Sequence, residues 1–226
     1  MLPLLAPLIL IALALDPPKT IPGQKTLILI DETFRFISGS WAAYDIRDKT
    51  KNETYRMTIS VLERVERKGK PMSWMEIEVE TPGNPRVVTR LLAEETREGP
   101  GELEEVIVQP EGYAPFRVPR RFFDKKGKDD EVAAVAPARV VKRVGRRRVA
   151  RQGRQIEVIE VEAEDAAGKP LRAELSEEVA PIGVCHAENG EIAMELADGG
   201  MGAKTRVSGT PRNFYLWVFE QIGKGL

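Results

Sequence analysis

Between residues 55 and 109 apolar and polar side chains alternate in four runs, YRMTISVLERVE, MSWMEIEVE, RVVTRLLAEE and LEEVIVQ, separated by breaks containing Gly, Pro and Asn. Period-two alternation places every second side chain on one face of a strand, and the breaks are turn residues, so this stretch predicts an antiparallel meander. Tyr55, Met57, Ile59 and Val61 share one face of its first strand. Met75, Ile77 and Val79 share one face of the second, opposite Glu76, Glu78 and Glu80, with Trp74 out of phase. In the third, Val87, Leu91 and Ala93 lie opposite Val88 and Leu92, so both faces carry apolar groups. The alternating carboxylates read as a solvated face.

The same pattern extends to both sides. WAAYDI before the meander reads as a strand, as do two runs around residues 139–149 and 155–163, with a phase shift between Val158 and Ile159 that predicts a bulge or twist. LRAELS is a further strand, and VCHAENGEIAMEL a hairpin closed by Asn189-Gly190. A short strand is expected at residues 205–207, then a terminal helix or strand over PRNFYLWVFEQIG. At the other end Leu27, Ile30, Phe34 and Ile37 recur at helical spacing, which predicts a helix over residues 25–39, although the run Ile28 to Ile30 has strand character. Residues 111–138 are irregular and carry the spaced aromatics Tyr113, Phe116, Phe122 and Phe123; they read as a long crossover loop, either a lid over the apolar face or cover for a sheet edge. The sum is a mainly β (α+β) chain: a strongly curved antiparallel sheet of about ten strands forming an incomplete β-barrel, with an N-terminal helix. No βαβ alternation is present, which excludes a doubly wound fold.

The first fifteen residues, MLPLLAPLILIALAL, carry no charge and are followed by DPPKTIPGQK. The run is short for a membrane span and ends in the small-x-small pattern Ala12-Leu13-Ala14, so residues 1–14 read as a secretory signal, 15–24 as an extended spacer and 25–226 as one curved-sheet domain. Export, to a periplasm, is the expectation. The chain contains a single cysteine, Cys185; an exported protein with one cysteine has no internal disulfide and relies on its core. A formal net charge of -1 gives no overall attraction to nucleic acid.

Candidate chemistry is sparse. GxSxG, P-loop, GxGxxG and HExxH patterns are all lacking, and neither cofactor nor metal is expected. Cys185 and His186 are neighbours, but adjacent strand residues point to opposite faces, so a buried thiol beside a locally satisfied imidazole is expected rather than a nucleophile pair. No enzymatic activity is expected. The run of cations that includes Arg143, Arg146, Arg147 and Arg148 offers an anion or partner surface, or peripheral contact with a membrane; the acidic strand beside it, with Glu157, Glu160 and Glu162, offers cross-strand neutralisation instead. The apolar surplus comprises Trp41, Tyr55, Met57, Ile59, Trp74, Met75, Ile77, Val88, Leu92, Met194 and Leu196. Thioethers adapt to irregular shapes and indoles pair an apolar body with a polar edge, so this set suits a cavity for acyl chains. A plain core beneath the expected helix would use the same residues.

The order of elements resembles the LolA/LolB-like class of exported bacterial proteins, the lipoprotein-sorting fold. The resemblance is carried by the exported N-terminus, the early helix expected before the WAAYDI strand, the meander YRMTISVLERVERKGKPMSWMEIEVET, the EEVIVQPEGYAPFRVP crossover and the late NGEIAMELADGGMGAKTRVSG hairpin and turn. It implies an open barrel whose concave apolar face holds lipid acyl groups. No cysteine follows the apolar run, unlike the membrane-anchored receptors of the class, so the resemblance implies a soluble carrier of acylated lipoprotein or another lipid. The alternative is an envelope module that binds another protein and holds no small molecule.

Overall fold

The computed structural model describes residues 28–31, 33–123, 137–151, 153–165 and 168–223; the expected signal and most of the spacer lie outside these. Among the described residues, twelve strands form one sheet in the order β12-β6-β5-β4-β3-β2-β1-β11-β10-β9-β8-β7. In chain order these are β1 (Ser40–Asp48), β2 (Glu53–Arg67), β3 (Lys70–Glu80), β4 (Val87–Thr96), β5 (Gly99–Pro110), β6 (Phe116–Arg117), β7 (Arg139–Arg151), β8 (Arg154–Glu164), β9 (Pro170–Leu175), β10 (Val184–Glu188), β11 (Ile192–Met201) and β12 (Arg212–Asn213), and the chain closes with helix α1 (Phe214–Gly223). Every pairing is antiparallel except β12 with β6. The sheet does not close on itself; β7 and β12 are its two edges.

The alternation in the meander builds β2 to β5 as expected. Ile59 lies opposite Ile77, and Val61 opposite Met75, so their apolar faces coincide. The Asn189-Gly190 turn joins β10 to β11, with the Asn189 carboxamide oxygen accepting from the amides of Glu191 and Ile192 at 2.8 Å each. The expected break in β8 is present: buried positions pass from Ile156 and Val158 to Val161 and Ala163, beside register shifts in β7.

Two expectations fail at the ends. The helix over residues 25–39 is not formed among the described residues, where residues 28–31 and 33–39 contain isolated turns but no helix. Its β-branched start pairs instead: Ile30 bridges Ala138 just before β7, the Asp31 amide donates to Ala138 O at 2.9 Å, and the Arg35 amide donates to Pro181 O at 2.7 Å. The segment is an extended strap. Residues 205–207 likewise form no strand, but belong to a second strap that runs outside the sheet.

The N-terminal strap also shows how strongly the sheet curls. Gly183, before β10, and Gly99, at the start of β5, are separated by six strand spacings, about 29 Å in a flat sheet. Yet a Cβ placed on Gly183 would lie 3.0 Å from the Thr33 Cβ, and one on Gly99 would lie 3.4 Å from the Phe34 Cβ. Thr33 and Phe34 are adjacent residues, so the sheet bends until β5 and β10 approach one short stretch of chain. The surface facing that stretch is the inner face.

Candidate functional site

The inner face is apolar across most of the sheet. Ala42, Tyr44 and Ile46 of β1, Met57 and Ile59 of β2, Met75 of β3 and Met194 of β11 belong to one buried cluster with residues of β8, β9 and β10. Tyr44 is fully buried and donates its hydroxyl to Val184 O at 3.0 Å, which satisfies the group; burial holds the phenol well above its ordinary pKa. The strap supplies the cover: Ile28 and Ile30 are buried in the cluster, and Leu29, Phe34 and Phe36 pack against it. Polar fixings hold it at its margin. The Thr33 hydroxyl donates to Ile182 O at 2.8 Å and the Arg35 guanidinium to Val179 O at 3.0 Å.

Of the predicted cavity set, Tyr55, Met57, Ile59, Met75, Met194 and Leu196 lie in this cluster and Ile77 packs against it. Trp41, Trp74, Val88 and Leu92, expected to line the same cavity, do not. Trp41 neighbours Ala42 in β1 and therefore faces away from it, its indole lying over Gly200. Trp74 pairs with Leu92, and Glu78 with Val88, on the face opposite Met75 and Ile77. An odd residue step places these four side chains on the outer face, where they cannot line an inner cavity.

That outer face is where the sequence was least informative. Glu76 and Glu78, expected in solvent, are each 3% exposed. Residues 203–211 cross over them: the Thr205 hydroxyl bonds Glu76, the Arg206 amide donates to Glu76 Oε2 at 2.7 Å, and Arg206 Nε lies 2.9 Å from Glu78. Arg86 completes the Glu78 site at 3.0 Å. Burial raises the Glu78 carboxyl above its ordinary value, against the pull of Arg206 and Arg86. Further along, the Ser208 amide donates to Gln109 Oε1 at 2.8 Å. Phe214 and Trp217 of α1 then close over Phe116, with Trp217 Nε1 donating to Ala114 O at 3.0 Å. Tyr113, Phe116 and Phe122 of the crossover pack with Phe214 and Trp217 of α1; residues 124–136, on which the expected lid falls, lie outside the described residues. A groove of about 510 Å³ lined by residues that include Gln109, Tyr113 and Ser208 shares none of the predicted cavity residues.

The basic strand is largely neutralised across β8 and β9. Arg146 meets Glu157 at 3.3 Å and Lys142 meets Glu162 at 3.9 Å. Arg147 bridges Glu160 and Glu174, and Arg151 bridges Glu174 and Glu195. His186 Nδ1 lies 2.5 Å from the second oxygen of Glu195, so the imidazole is satisfied locally at the end of this chain of polar contacts. Arg143 and Arg148 make no ion pair among the described residues. Cys185 is buried in the inner cluster, and burial raises its thiol to about 11; it stays protonated and poorly nucleophilic at neutral pH. Among the described residues no His, Cys, Asp and Glu cluster could hold a metal ion, and no helix is long and apolar enough to cross a membrane.

No family model matches the chain. No characterised protein matches it. Among solved structures, it is similar to a protein described as a lipoprotein from Parabacteroides distasonis ATCC 8503, at 11% identity and a TM-score of 0.37, over 76% of this chain and 99% of that one. It is similar also to MucB, at 14% identity and a TM-score of 0.34, over 79% of this chain and 60% of that one. Agreement this loose assigns neither a fold family nor a function.

Proposed function

We propose that this chain is an exported binding protein that shelters an acyl chain, of a lipid or an acylated lipoprotein, against the inner face of its curled sheet. The observation that carries the reading is the contrast between that face and its cover. A contiguous apolar surface containing Met57, Met75 and Met194 is overlaid, among the described residues, by one extended strap rather than by a second sheet or a helix. Such a strap can yield to a chain-like ligand at modest cost, and thioethers can repack around one. Each methylene sheltered contributes about 0.8 kcal/mol, so a single acyl chain gives binding that is useful yet reversible. No covalent step and no cofactor form part of this proposal.

A second reading, an envelope module without a small-molecule ligand, is favoured by one fact: the strap already buries Ile28 and Ile30 in the cluster. Native mass spectrometry of the protein purified from its producing cells, followed by lipid extraction, separates the two. The carrier reading predicts a bound fraction whose mass is that of a lipid. A protein that stays empty, and takes up no added fatty acid, supports the second reading and overturns the first.

A further inference from the structure

Strand β7 carries a feature that acyl binding leaves unused. It is an edge of the sheet, thirteen residues long, and exposed from Lys142 to Arg148. Beyond the bridge of Ile30 to Ala138, no described residue pairs with its outer edge. Val141 and Val144 are 55% and 52% exposed. A long exposed edge is a template for a further strand, and folded proteins usually blunt it with charges and bulges. Both devices occur here: register shifts lie at Val140/Lys142 and Arg143/Gly145, and the strand carries seven cations and no carboxylate.

Those cations would repel a second copy of the same strand, which is a reason for them to be there. They exceed what neutralisation within the sheet uses, however, because Arg143 and Arg148 flank the edge without an ion-pair partner among the described residues. Between the second bulge and the end of the strand the register is regular from Gly145 to Arg151, long enough to pair with a short peptide. We propose that this edge accepts an extended acidic segment of a partner protein by strand addition: backbone hydrogen bonds form along residues 145–151, and Arg143 and Arg148 select carboxylates. The surface is distinct from the inner face, so it acts whether or not the acyl-binding reading holds.

The test uses the purified full chain and a fluorescein-labelled eight-residue peptide alternating Glu and Val. Its controls are the same peptide with its four central amides N-methylated, and a peptide alternating Lys and Val. Binding of the Glu/Val peptide is expected, weakening with added salt, with slowed amide exchange along residues 145–151. N-methylation, and separately the double change Arg143→Glu with Arg148→Glu, should each weaken binding by about tenfold or more. The Lys/Val peptide should not bind. Equal binding of the methylated peptide would reduce the surface to plain charge attraction and overturn strand addition. Absence of peptide binding at low salt would also overturn it, as would binding to phosphatidylglycerol vesicles in place of the peptide. The methylated-peptide comparison uses the unchanged protein, so it stands even where the double variant folds poorly.

Discussion

The two faces of the sheet are covered by two straps of opposite chemistry. On the inner face, residues 28–31 and 33–37 lie over an apolar cluster and are fastened at the margin through Asp31, Thr33 and Arg35. On the outer face, residues 203–211 are pinned from beneath by two buried carboxylates, and the helix that follows is anchored by three aromatic side chains. A charge-assisted hydrogen bond to a buried group is costly to break, because the carboxylate left behind has no water to replace its partner. The apolar side chains of the inner strap carry no such penalty if another apolar group takes their place, and the strap's hydrogen bonds run to neutral backbone carbonyls rather than to buried charges. The outer cover is therefore part of the fold, and under the proposed function the inner cover is the one an acyl chain would displace.

The largest effect that tests this contrast is Trp217→Ala. The indole is 2% exposed and packs on Phe116 at 4.5 Å between ring centroids, so its loss should cost about 3–5 kcal/mol in denaturant unfolding. Amide protection should fall along α1 while fatty-acid uptake persists. Uptake lost together with α1 would merge the two covers into one unit.

Next is Gly183→Val. At φ +68° a β-branched residue is strained, and its Cβ would press on Thr33 at 3.0 Å. A loss of about 1–3 kcal/mol is expected, with increased binding of an apolar dye as the inner strap lifts. Loss of stability without a change in dye binding would mean that the strap does not guard the face.

A pH measurement sharpens the outer side. The folded protein holds the Glu78 proton more tightly than the unfolded chain does, since burial raises its carboxyl pKa. The stability tied to this group is therefore greatest below the ordinary glutamate range and falls as pH rises through the raised value. Glu78→Gln removes that fall. The stability of the variant relative to the parent should improve across the interval, as read from unfolding curves at several pH values; parallel curves would place the carboxylate in water.

The smallest effect belongs to the charge ladder. Arg146 and Glu157 are 67% and 50% exposed, so Arg146→Ala should cost no more than about 1 kcal/mol and less in high salt.

The sequence was legible where a pattern is local. Alternation placed β2 to β5 and set the phase by which Tyr55, Met57, Met75 and Ile77 share a face; Asn189-Gly190 marked its hairpin. The same alternation sets Trp74, and with it Leu92 and Val88, on the opposite side of the sheet from Met75 and Ile77. What local patterns could not disclose are partners distant in sequence. Glu76 looks solvated until Thr205 and Arg206, about 130 positions away, are laid over it. Residues 25–39 have helical spacing, but Ile30 and Arg35 find backbone partners at Ala138 and Pro181, and those fixings outweigh the helical preference.

The central claim is that the inner face is the surface that meets an acyl chain, and mapping a photoactivatable diazirine fatty acid onto the protein tests it most directly. Crosslinks are expected at Met57, Met75 and Met194 and on the strap around Phe34 and Phe36. The helix α1 offers a rival apolar surface, with Leu216 and Phe219 62% and 71% exposed. Crosslinks confined to that helix, or none above background, would contradict acyl binding at the inner face.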